Sequence, residues 1–238
     1  MGKLNYVGYW EEFGFNIPDH LCRSDPNAGE DVVIPNESLV GKTLSHNFLW
    51  GLLGRWNVMA LLANILGEHN RSVVIDWETK FEHGLELGCD YGHTWSCYRD
   101  AVQHMHGIEL GDSVKIGQEL GHDIIQADMQ TMPFDDNFFD LIISEHALEH
   151  VDDIDELLKQ MYRVTKDGGW SGHILPCVPD NSAETPNDFH KTGLSYQAWK
   201  QKFIEHGFTV IRDFFTWAGN QEQYCIICRK LEEYDDTP

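Results

Sequence analysis

The chain has 238 residues, 42% hydrophobic and 24% charged, ordinary values for a globular protein near the upper size for one core. That composition excludes collagen-like, coiled-coil and disordered classes. Lys and Arg number 17 against 39 Asp and Glu, a formal charge of -22, and such a surface repels phosphate backbones at long range, so nucleic acid is a disfavoured partner.

Residues 1–43 are rich in Gly, Pro, Asn and aromatics, with weak periodicity. With the stretch up to residue 82 they read as an irregular N-terminal segment and amphipathic helix covering the core, to which Tyr6, Tyr9, Trp10, Phe13 and Phe15 contribute. Met1 to Trp10 lacks the basic start and apolar run of a signal peptide, and Tyr6 stands where a myristoylation motif needs Ser or Thr. Phe48 to Leu66 is apolar, but Arg55, Asn57 and Asn64 interrupt it, and a membrane span needs ~20 predominantly apolar residues. Leu49, Leu52, Leu53, Trp56, Ala60 and Ala63 follow helical spacing, predicting an amphipathic helix packed on the domain and no membrane partner.

From residue 83 to 230 strands and helices alternate, which predicts an α/β fold: a doubly wound, mostly parallel sheet with a C-terminal antiparallel hairpin. The strand candidates are Gly84–Cys89, Gly107–Leu110, Asp123–Ala127, Phe139–Ser144 and Gly172–Leu175. A helix is expected over Asp153–Thr165, capped by Asp152, with Ile154, Leu157, Leu158, Met161 and Val164 inward and Gly168-Gly169 ending it. A last helix near Tyr196–His206 precedes two strands, from Gly207 to Phe215 and over Gln223–Arg229, joined by a Gly-Asn turn. Residues 231–238 form an acidic tail. Of six cysteines, Cys225 and Cys228 make a C-x-x-C, but on an apolar strand they face opposite ways, and no second pair completes a zinc site. Free thiols and a cytoplasmic location are expected.

The first strand runs through Glu86-Leu87-Gly88-Cys89-Asp90-Tyr91-Gly92 into an expected helix. Glycines at such a turn let backbone approach a ligand closely, and helix-start amides favour polar or anionic groups, though a two-glycine turn alone also fits a plain tight connection. Glu109, at the end of the next strand, is placed to accept from both ribose hydroxyls of an adenosine ligand. After the third strand, Asp128 is positioned to take the adenine amino proton and Met129 to lie against the ring. Ser144-Glu145-His146-Ala147-Leu148-Glu149-His150 follows the fourth strand, and Arg163 to Gly169 precedes the fifth.

In this order the segments resemble the class I S-adenosylmethionine-dependent methyltransferases, over roughly residues 84–176, most closely the small-molecule and glycan branch. Asp188–Ser195 also looks like that branch, where it lies near the acceptor pocket. The resemblance implies S-adenosylmethionine as cofactor and methyl transfer to oxygen or nitrogen of a small molecule or glycan. It implies that Glu86 fixes the glycine turn or binds the methionine amino group through water. Gly88 and Gly92 would let the methionine half lie on the backbone, Glu109 would hold ribose, and Asp128 with Met129 adenine. Ser144 and Glu145 would border the methionine and sulfonium. Asp90 departs from the family, which has a third glycine there; its side chain is expected to bond the cofactor's ammonium. His146 and His150, four apart, share a face if their segment is helical, as do Glu145 and Glu149, and with His190 they are the candidate bases. No metal is expected, since His146 and His150 lack the H-E-x-x-H signature. His104 and His106 flank Met105, are expected to point apart and receive no role. The rival readings are a cofactor-binding partner or sensor without turnover, and a nucleic-acid methyltransferase, against which stand the charge and the lack of an N-P-P-Y run.

Overall fold

A computed structural model of the protein describes residues 81–98, 101–176, 190–218 and 221–231, together with helical residues 58, 61, 62, 64 and 65. Within them one sheet contains β1 (Phe81–Leu87), β2 (Val102–Glu109), β3 (Asp123–Gln126), β4 (Phe139–Glu145), β5 (Thr165–Pro176), β6 (Thr209–Ala218) and β7 (Gln221–Arg229). The strand order is β3-β2-β1-β4-β5-β7-β6. β1 pairs in parallel with β2 and β4, β2 with β3, and β4 with β5, whereas β7 is antiparallel to both β5 and β6. The fold is thus the expected mostly parallel α/β sheet with an antiparallel C-terminal pair, β6 forming the edge. The strand order reverses between β1 and β4, and in open α/β sheets a ligand crevice lies at the carboxyl ends there.

Apolar alternation sorts side chains into two layers. On β4, Leu141 and Ile143 enter one cluster and Ile142 the other; on β7, Cys225 and Ile227 oppose Tyr224, Ile226 and Cys228. A sheet buried on both faces requires such continuous apolar runs. The two thiols of the C-x-x-C therefore lie in different layers, buried and free, and burial raises both above the ordinary thiol range. Helices α2 (Ile154–Val164) and α3 (Tyr196–Glu205) cover one face; a short α1 (Val114–Glu119) precedes β3. Val58, Leu61, Leu62 and Ile65 are buried in the opposite layer with Tyr98 and Trp170. Among the described residues no helix is long and apolar enough to cross a membrane.

Three local expectations are corrected. The cap of α2 is Asp153, one residue late, whose carboxylate accepts from the Glu156 amide at 3.0 Å; the predicted inward face is the buried one. Gly168-Gly169 do not end α2: Thr165 does, already pairing with Phe139, and the glycines lie inside β5 where a Cβ on Gly169 would sit 2.7 Å from the Lys166 carbonyl oxygen. His104 and His106 do not point apart. Positions two apart on a strand share a face, and both rings lie against His83, at 5.2 and 5.4 Å between centroids. The aromatic N-terminal segment, the face from Leu49 to Ala63, Asp188, Phe189, the Gly219-Asn220 turn and the tail beyond Leu231 lie outside the described residues.

Candidate functional site

The β1 turn is held open by conformation. Gly88 has φ +64°, and a Cβ there would meet the Ala147 Cβ at 2.6 Å; Gly92 has φ +81°, and its Cβ would meet the His122 ring at 2.5 Å. Asp90, at the family's glycine, also takes a left-handed φ of +52°, which explains why glycine suits that position and why Asp, among the side chains most tolerant of it, replaces it. The helix expected after this turn is absent from residues 88–98, where turns lead to a single 3-10 turn, Trp95–Cys97. Thr94 and Tyr98, which that helix would have carried, instead turn their hydroxyls onto Glu86 at 2.6 and 3.1 Å. The anion-favouring helix start therefore plays no part.

Glu86 is buried at 3% exposure. Burial pushes its carboxyl up to about 8, against the pull of the Thr94 and Tyr98 bonds, and the nearby Glu145 charge adds to the rise. Nothing in an eight- or twelve-residue separation marks two hydroxyls as partners of one acid, so only the fold reveals Thr94 and Tyr98.

At the end of β2 the Glu109 carboxylate accepts from the Gly111 amide at 2.7 Å and the Asp90 amide at 3.1 Å, tying the first two turns together. A carboxylate offers about four acceptor positions, and these two amides use two of them. Asp128 accepts from the Gln130 amide at 2.8 Å and from its side chain at 3.2 Å, while Gln130 Oε1 accepts from the Asp153 amide at 2.7 Å. Gln130, not foreseen, thus joins the third turn to the cap of α2; an amide two residues after an Asp was the available signal. Met129 is half-buried beside Gly88.

Beyond β4 the chain is not helical, so His146 and His150 do not share a helical face, nor do Glu145 and Glu149. His146 takes φ +47° and only Leu148–His150 form a 3-10 turn. Glu149 organises the segment instead. Its carboxylate meets His146 Nδ1 at 3.2 Å, and its backbone oxygen accepts from the Lys191 and Thr192 amides at 2.9 and 3.0 Å. That docking brings His190 to His150, with ring centroids 5.2 Å apart. Ser144 is fully buried and its hydroxyl meets His173 Nδ1 at 2.8 Å, which takes its side chain into the sheet. Burial raises Glu145 to about 7, with His146 lowering and Glu149 raising it. Burial lowers His146, but its bond to Glu149 and the charges of Glu149 and Glu145 leave it above the ordinary histidine range.

Glu86 Oε2, Glu145 Oε1 and Glu149 Oε2 are buried with no hydrogen-bond donor among the described residues. Unsatisfied buried carboxylates beside a turn where only glycine fits match a cationic ligand lying on the backbone. S-adenosylmethionine, with its ammonium and sulfonium, has that character, and the residues present fit it.

Residues 85–171 match the family model described as a methyltransferase domain. That match runs from β1 into β5, the parallel part of the sheet that carries the Gly88, Glu109 and Asp128 turns. The chain is 33% identical over 102 residues to the ubiquinone/menaquinone biosynthesis C-methyltransferase UbiE of Pseudoalteromonas translucida, covering 38% of this chain and 41% of that protein. It is 30% identical over 145 residues to ajmaline N-methyltransferase of Rauvolfia serpentina, covering 52% and 48%. The chain thus spans less than half the length of these two relatives. Among solved structures, a SAM-dependent methyltransferase from Methanosarcina mazei superposes with a TM-score of 0.57 at 15% identity, over 66% of this chain and 96% of that one.

Proposed function

We propose that the protein methylates oxygen or nitrogen of a small molecule or glycan, using S-adenosylmethionine. The observation that carries this reading is the pair of buried carboxylate oxygens on Glu86 and Glu145, without a donor among the described residues, beside the Gly88 turn. A cation there restores the charge and the donors that burial leaves missing. Bound S-adenosylmethionine supplies an electrophilic methyl carbon, whose bond to sulfur breaks with the electron pair left on sulfur. The chain's own residues bind and orient. Gly88 and Gly92 admit the methionine half, Glu86 and Asp90 face its ammonium, and Glu145 with the Ser144 backbone borders the sulfonium. Glu109 takes the ribose hydroxyls, and Asp128 with Met129 the adenine. In-line positioning is most of what this transfer requires.

An attacking hydroxyl or amine must also lose a proton, and the histidines His146, His150 and His190 gathered around Glu149 are the groups to accept it. The relatives' names cover carbon and nitrogen acceptors, so the choice of oxygen or nitrogen rests on this histidine group. The free, buried cysteines support a reducing, cytoplasmic setting.

The test is binding followed by turnover. S-adenosylhomocysteine at ~100 times its dissociation constant stabilises a protein by about 2.7 kcal/mol, so a clear rise in melting temperature is expected. Labelled donor incubated with sugar, alcohol and amine acceptors should then yield a labelled product. No thermal shift and no heat of binding at millimolar ligand overturns the reading; binding without product from any acceptor makes the chain a cofactor-binding partner.

A further inference from the structure

We propose that Glu149, His150 and His190 hold a divalent first-row transition ion at the carboxyl end of β4, where it binds an oxygen of the acceptor. The inference rests on the methyltransferase reading for its purpose, but not for its geometry. One carboxylate oxygen of Glu149 and one ring nitrogen of each histidine lie within 4.8 Å of one another. Ligands around an ion at ~2.1 Å sit about 3.4 Å apart in tetrahedral geometry, so no pair of the three donors needs to close by more than about 1.4 Å. The three come from two chain segments, and one residue unites them: the Glu149 backbone oxygen takes the Lys191 and Thr192 amides, which delivers His190 to the Glu149 side chain.

A second observation points independently to a ligand. Glu149 is 1% exposed; its Oε1 is engaged by His146, but its Oε2 has no donor among the described residues, and a buried polar atom left unsatisfied is costly. His146, on the other carboxylate oxygen at 3.2 Å, orients that group as metal-bound carboxylates are usually oriented. The His150 side chain is 43% exposed, so the site opens to solvent on one side and keeps coordination positions for water or substrate. Two imidazoles and one carboxylate suit manganese, iron, cobalt or zinc better than magnesium, which prefers oxygen ligands throughout. The short spacing from His146 to His150 carries no metal signature, and only the fold adds the donor from residue 190. The acceptor class that fits is one bearing hydroxyl oxygens, since a metal-bound hydroxyl ionises more readily. His150 and His190 then spend a ring nitrogen each on the ion, leaving His146 as the remaining neighbour of the acceptor.

The full chain, stripped with EDTA and desalted, should bind one Mn²⁺ per chain, read by loss of the free-ion electron paramagnetic resonance signal, with Zn²⁺ competing and Mg²⁺ failing to compete. His150→Ala and His190→Ala should each weaken Mn²⁺ binding at least tenfold. Their S-adenosylhomocysteine affinity, measured alongside, should stay within about twofold of the parent, which also establishes that they fold. Parent protein that binds S-adenosylhomocysteine but takes up no more Mn²⁺ or Zn²⁺ than the His150→Ala, His190→Ala double variant overturns the metal site and spares the methyltransferase. Metal uptake abolished by the variants, without any S-adenosylhomocysteine binding, keeps the site and removes the methyltransferase reading.

Discussion

Two regions of this sheet bury polar side chains and treat them in opposite ways. Between β4 and β5, in register with each other, Ser144 and His173 form a closed set with Ser171: the imidazole nitrogens meet the two hydroxyls at 2.8 and 2.6 Å, and the ring stacks on Phe203 at 5.1 Å. At the carboxyl edge, Glu86, Glu145 and Glu149 each keep a buried oxygen with no donor among the described residues. Both sets of polar groups are buried, so the difference lies in satisfaction. A closed network stabilises and specifies the fold, whereas open acids are destabilising until a ligand completes them. Burial acts on both, holding His173 down at about 3 and Glu86 up at about 8, each in its neutral form near pH 7.

The largest effect that tests this contrast is expected at Gly88. In Gly88→Val the new Cβ meets Ala147 at 2.6 Å with φ at +64°, costing roughly 1–3 kcal/mol of stability or more. S-adenosylhomocysteine binding should vanish in calorimetry. A folded variant with parental affinity would mean that the edge is not a cradle.

The pH dependence of stability separates the two regions next. His173 binds no proton in the folded chain until pH nears 3, while an unfolded histidine does so near 6.5. Stability from this group is therefore present above 6.5 and lost as pH falls toward 3. Glu86 runs the other way: folded, it keeps its proton up to about 8, while an unfolded glutamate releases it near 4.5. Its contribution is full below 4.5 and lost as pH rises toward 8. Each slope reaches about 1.4 kcal/mol per pH unit at most. Urea unfolding across pH should show His173→Asn lacking the acid slope and Glu86→Gln the alkaline one. An unchanged Glu86→Gln profile would mean that the carboxyl is not held neutral.

A smaller effect is expected from Glu109→Ala. It removes a charged acceptor of hydroxyls, worth about 1.5–3 kcal/mol, and should weaken cofactor binding by roughly one to two orders of magnitude. Parental affinity in calorimetry would remove Glu109 from the ribose site. The smallest concerns Asp90, whose φ of +52° strains a side chain. Asp90→Gly relieves about 1–2 kcal/mol of strain against about 0.5–1 kcal/mol of glycine chain entropy, so it should raise stability by about 0.5–1 kcal/mol in urea; a fall instead would show that the carboxylate is held by a bond worth more than the strain.

The amino-acid sequence by itself determined the α/β fold, the inward face of α2, the two-sided placement of Cys225 and Cys228, and the ordered turns carrying Gly88, Glu109 and Asp128. These features are written in local periods and in residue types that follow strand ends, and both are set by backbone geometry over a few residues. Only the tertiary structure decided that residues 88–98 form no α-helix, that Thr94 and Tyr98 serve Glu86, and that His104 and His106 gather on His83. It also decided that Ser144 belongs to His173 and that residue 190 arrives beside Glu149. Each of these depends on a contact between segments remote along the chain, or on how deeply an acid or imidazole is buried. Local spacing encodes neither, because burial and partnership are properties of the packed sheet.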